Sequence, residues 1–172
     1  MNRVVFQNVI RFVLLLLLQV LLFNKINLYG YLNPFVYILF ILLLPFETPG
    51  WLLLALSFIT GLTVDLFSGT PGLHTAATVF AGFARPAIIR LVGKHDESDS
   101  SKFPTIRDMG LKWFVSYASI VVFLHHAALN YLDVFSFTEF FRTLLRVIVS
   151  SLFTVLFVIL IEYIFVSHRE KR

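Results

Sequence analysis

Apolar residues come in long, nearly unbroken runs along this chain, separated by short polar or glycine- and proline-bearing breaks. The runs cover residues 9–23, with an extension toward 28, then 33–46, 51–67, 73–92, 111–132 and 140–166. A helix needs about 17–25 apolar residues to cross the hydrocarbon of a bilayer, and most of these runs fit that length. The second run, opened by Asn33-Pro34 and closed by Pro45-Phe46, is short for a span. Glu47-Thr48-Pro49-Gly50 and Ser68-Gly69-Thr70-Pro71-Gly72 read as tight turns, because Pro and Gly both break helices. In lipid every backbone polar group needs a partner within the protein, so runs of this kind are helices. The pattern predicts an all-α integral membrane protein of about six transmembrane helices. It forms a single polytopic domain over residues 1–172, with one long polar loop at about 93–112.

Composition agrees. Of 172 residues, 58% are hydrophobic and 14% charged, whereas soluble domains are about 45–50% apolar and about 25% charged. That surplus of apolar surface has to face lipid. The net charge of +4 does not point to nucleic acid, because the basic residues sit at the ends of apolar runs, where they set topology and meet headgroups. The chain has no cysteine, which excludes disulfides, thiolate metal sites and a cysteine nucleophile. Asn24-Lys25-Ile26-Asn27 follows the first run with no small-x-small pattern, so that run is expected to be an uncleaved span.

Lys and Arg fix the expected orientation. Arg3, Arg11, Arg90, Lys94, Lys102, Arg107, Lys112, Arg169, Lys171 and Arg172 fall on one side if there are six spans, which places both termini in the cytoplasm.

Polar residues inside the runs are costly in lipid and carry the remaining information. Ser57, Gly61, Asp65 and Gly69 share one helical face, and the small ones let another backbone approach closely. The fourth run can pack on the third as a close hairpin through Ala81 and Gly82. Arg85, before Pro86, is expected to snorkel toward the cytoplasmic surface. Asp65 is expected to pair with Arg142 or Arg146, which lie at similar depth near the start of the sixth run. Gln7, Arg11 and Gln19 share a face of the first run and are the expected contact for a partner helix. His125 and His126 are adjacent, so on a helix they point about 100° apart and do not converge on a metal. No zinc-protease motif, phosphate loop, nucleophile elbow or paired acidic motif is present. The pattern predicts no catalytic or metal-binding residues and no cofactor.

The string from Gly61 through Asp65, Gly69 and Gly72 to His74 resembles the joint between the third and fourth spans of the MreD family, the rod shape-determining membrane proteins of bacteria. Length, number of runs and basic ends are similar too. The charged loop near Asp96 and the His125-His126 pair depart from that family. The resemblance implies a non-enzymatic scaffold of cell elongation in the bacterial inner membrane. The implied partners are an MreC-like bitopic protein and, through it, an MreB-like filament, a RodA-like glycosyltransferase and a penicillin-binding transpeptidase. It also implies a fold similar to the six-helix substrate-binding subunits of energy-coupling-factor vitamin transporters, so a small-molecule-binding transporter subunit is the alternative. A transporter subunit is expected to show a polar, aromatic pocket near the outer loops. A scaffold is expected to show filled helix seams and a lipid-facing groove.

Overall fold

The computed structural model describes residues 2–25, 33–93, 103–134 and 139–169. The polar stretch around Asp96 and the basic residues Lys171 and Arg172 lie outside them. Every described element is helical: α1 (Asn2–Leu21), a 3-10 turn (Phe23–Lys25), α2 (Ile38–Leu42), α3 (Gly50–Ser68), α4 (Leu73–Val92), α5 (Ile106–Met109), α6 (Leu111–Val134) and α7 (Phe140–Arg169). Among the described residues, α3, α4, α6 and most of α7 are long and apolar enough to cross a membrane. The chain is a multi-pass, all-helical membrane protein.

Two of the six expected spans are not among these four long helices, and the second run is one of them. The α-helix there has five residues rather than a span's worth. Proline at either end is the local cause. Pro34 has no N–H to give and disfavours helix at Asn33, and Pro45 does the same to Leu44. Between them the chain enters through tight i→i+3 turns, with Ile38 N–H on Phe35 O and Leu39 N–H on Val36 O. The apolar stretch of α1, Val5–Leu21, also falls short of the four long spans.

The long helices form an arc in which α1 packs on α3, α3 on α4, α4 on α6, and α6 on α7. The short segment fills its inside. Every residue from 36 to 44 is at most 4% exposed, and α2 touches α1, α3, α4 and α6. A helix that is apolar all round belongs in such a place. Beyond the last turn of α1, Asn24 donates to Ser68 Oγ at the end of α3 (3.0 Å), while Val9 near the start of α1 shares a groove with Leu52 near the start of α3. The two helices therefore run in the same direction, and residues 33–46 carry the chain back between them. We call the end with the start of α1 the near end and the other the far end.

Candidate functional site

The motif from Gly61 to His74 forms the joint between α3 and α4 at the far end. Gly69 closes α3 at φ +68 and Gly72 opens α4 at φ +84, conformations that glycine adopts without strain. A glycine before the first turn leaves α4 with no cap from its own N-cap residue. Asp65 supplies it from the neighbouring helix. Its carboxylate accepts the backbone N–H of His74 (3.0 Å) and of Thr75 (2.9 Å), and the hydroxyls of Thr75 (2.6 Å) and Thr70 (2.7 Å). A carboxylate on the first N–H groups of a helix satisfies their donors and complements the helix dipole.

This corrects the expected ion pair. Among the described residues, no ion pair joins Asp65 to Arg142 or Arg146. Arg142 lies 3.4 Å from Glu139, and Arg146 lies 4.0 Å from Asp133. Four donors already surround the carboxylate of Asp65, and the arginines lie beside Glu139, just before α7, and Asp133, in the last turn of α6.

The small-residue stripe does bring α3 and α4 together. A Cβ on Gly61 would stand 2.5 Å from Thr75 Cα, and one on Gly82 would collide with Ser57 Oγ. Gly61 therefore admits the backbone of α4, and Gly82 admits a side chain of α3. His74, the last residue of the motif, is buried and turns inward.

Inward lies the short segment, whose helix begins and ends inside the protein. Its backbone groups have no water to bind, so side chains of the surrounding helices bind them. At the far end the acceptors are neutral. Asn33 N–H reaches Ser150 Oγ (3.4 Å), Phe35 N–H reaches Thr154 Oγ1 (3.1 Å) and Tyr37 N–H reaches Gln19 Oε1 (3.4 Å). Gln19 Nε2 also donates to Pro34 O (3.3 Å). At the near end the donors include two cations. Tyr117 donates to Leu42 O (3.1 Å), Arg11 to Leu43 O (3.4 Å) and Arg85 to Leu44 O. Arg85 Nε also donates to Tyr117 Oη (2.8 Å). Positive charge at the carbonyl end suits the dipole of even a short helix.

Two expectations change as a result. Arg85 does not snorkel; it is 1% exposed and anchors the short segment. Gln19 is fully buried and turned toward residues 34–37, and half-buried Arg11 reaches Leu43 O as well as Asn8. Gln7 is half-buried as well. The exposed face of α1 is apolar instead, carrying Phe6, Val13 and Leu17.

Phe35 and Tyr37 project into a group of histidines. The Tyr37 hydroxyl lies 2.7 Å from His125 Nε2 and 3.0 Å from His74 Nδ1. A tyrosine hydroxyl gives one proton and accepts others, so it donates to one of these histidines and accepts from the other, the order being set by their tautomers. His125 Nδ1 has no hydrogen-bond partner among the described residues. Phe35 stacks on the His126 ring at 5.1 Å and meets His74 edge-on at 4.9 Å. His126 Nε2 lies 2.9 Å from Thr154 Oγ1. The two adjacent histidines stand at 90° to each other, one facing Tyr37 and the other Thr154. Among the described residues, no three His, Cys, Asp or Glu side chains gather as a metal ion requires.

Sequence reasoning singled out Asp65, Gly61 and the histidines, but it missed Phe35, Tyr37 and Tyr117. The signal was present: an apolar run too short to span, with proline at both ends, leaves backbone groups that need partners at depth. No family model, curated protein or solved structure matches the chain.

Proposed function

We propose that this chain is a non-enzymatic membrane scaffold of bacterial cell elongation, of the MreD kind. In this reading it crosses the inner membrane six times, with α1 and the segment 33–46 adding two crossings to the four long helices, and both termini are cytoplasmic. It holds the spanning helix of an MreC-like bitopic protein and through it couples an MreB-like filament to a RodA-like glycosyltransferase and a penicillin-binding transpeptidase. One observation carries the reading: the residues of the resembling motif act together in a single joint. Gly61, Asp65, Gly69 and Gly72 set the α3–α4 joint, and His74 ties it to the buried segment. The intramembrane polar residues Arg11, Gln19, Arg85 and Thr154 serve the same segment. With the interior engaged in this way, partners are left the lateral helix faces.

The polar, aromatic cluster of His74, His125 and His126, with Thr78 Oγ1 donating to the Tyr37 hydroxyl (3.3 Å), favours a second reading, a small-molecule-binding transporter subunit, since such a cluster suits a ligand. Against it, Phe35 and Tyr37 of the chain itself stand at the centre of the cluster. The test is purification of the protein from a rod-shaped host together with depletion in that host. Co-purification of the bitopic partner and rounding of depleted cells are expected. Rod-shaped depleted cells and no bitopic partner would put the transporter reading first.

A further inference from the structure

A groove of about 530 Å³ lies between α1 and α3 at the near end. Asn24 and Ser68 tie the two helices at the far end. Toward the near end the seam opens over an apolar floor of Val9, Phe12, Phe40, Leu52 and Leu56, and polar residues gather at its mouth: Asn8, Glu47 and Thr48. Arg11 NH1 donates to Asn8 Oδ1 (3.3 Å), which brings a guanidinium to the same place. Beside the mouth, Trp51 in the first turn of α3 is 73% exposed, as an aromatic at a membrane interface is.

We propose that this groove binds one phospholipid of the phosphatidylethanolamine class. An acyl chain lies on the apolar floor, the phosphate faces Arg11 and Asn8, and the ammonium meets the Glu47 carboxylate. An unbranched acyl chain needs no polar partners along the apolar floor. Charge separates it from other lipids. A positive and a negative group at one mouth match a zwitterion, and Glu47 repels an anionic headgroup. A primary ammonium also donates hydrogen bonds to the carboxylate, which a trimethylammonium does not. The inference rests on the membrane placement of the chain and not on its role in cell shape.

The test uses the full-length protein reconstituted in vesicles of equal phosphatidylethanolamine, phosphatidylcholine and phosphatidylglycerol. Retained lipid is counted by native mass spectrometry after mild extraction, and a benzophenone side chain at Leu52 reports its neighbour. One retained phosphatidylethanolamine per chain and a lipid-sized cross-link are expected. Leu56→Trp, which fills the floor, abolishes retention. Glu47 is exposed and outside every helix, so Glu47→Gln leaves the fold intact and lowers the preference for phosphatidylethanolamine over phosphatidylcholine roughly fivefold. Equal retention of all three lipids by the parent and by Glu47→Gln overturns the proposal. So does a protein-sized cross-link at Leu52, or the absence of any retained lipid.

Discussion

The carboxylate of Asp65 accepts the N–H of Thr75 at 2.9 Å and its hydroxyl at 2.6 Å, so one helix caps the next across a turn bounded by two glycines. Asp65→Ala leaves the first N–H groups of α4 without an acceptor at a buried position. A loss of about 2–3 kcal/mol is expected. Asp65→Asn keeps one amide oxygen as acceptor, and about half of that loss is expected. Unfolding in detergent micelles, followed by denaturant titration, measures both. An Asp65→Ala protein as stable as the parent would remove the cap from the fold's energetics.

Gly61 and Gly82 both admit α4 to α3, but against different atoms. Gly61→Ala drives a Cβ into the backbone of Thr75, which has no rotamer to move, and about 2–3 kcal/mol is expected to be lost. Gly82→Ala meets only the side chain of Ser57. Adding Ser57→Ala to Gly82→Ala removes the hydroxyl and leaves the Ser57 Cβ 3.1 Å away, so part of the melting temperature should be restored. The same addition should do nothing for Gly61→Ala.

Arg85 and Tyr117 act on the short segment as a pair. Tyr117→Phe removes a donor to Leu42 O and an acceptor for Arg85 Nε, for an expected cost of about 1–2 kcal/mol. Arg85→Met strands Leu44 O and should cost about 2–4 kcal/mol. Because the two share a hydrogen bond, the double variant should lose less than the sum, with coupling of at least about 0.5 kcal/mol. Strict additivity in a double-mutant cycle would contradict the shared role.

Orientation is open to cysteine labelling, since the parent has no cysteine. Arg107→Cys at the near end and Pro71→Cys at the far end both place the thiol at an exposed position. With cytoplasmic termini, an impermeant maleimide added to intact cells reaches Pro71→Cys and not Arg107→Cys. The reverse pattern inverts the topology.

The helical, membrane-embedded character of the chain was legible because it depends on run length alone. The closeness of α3 and α4 was legible from Ser57, Gly61 and Gly82, since small residues on one face have few other uses in lipid. The partner of Asp65 was not. Depth placed it level with two arginines, but depth ignores the N–H groups of α4, nine and ten residues further along the chain. Gln19 was misread for a related reason. A helix face gives a direction, and whether that direction leads to a partner or inward depends on what lies inside. What lies inside is the run at 33–46, which length and prolines marked as unusual without showing that its neighbours bind its ends.

The most direct test sets cell shape against thermal stability in one series of variants. Tyr37→Phe, His125→Gln and Asp65→Asn change the interior; Phe6→Ala, Leu17→Ala and Leu152→Ala change exposed faces of α1 and α7. Each is purified for its melting temperature and expressed in a depleted rod-shaped host. If the interior is structural and function lies on the lateral faces, interior variants lose rod shape only as far as they lose stability, while at least one surface variant loses rod shape at the parent's melting temperature. A His125→Gln protein that melts like the parent and still leaves cells round would contradict this, and would make the histidine cluster the working site.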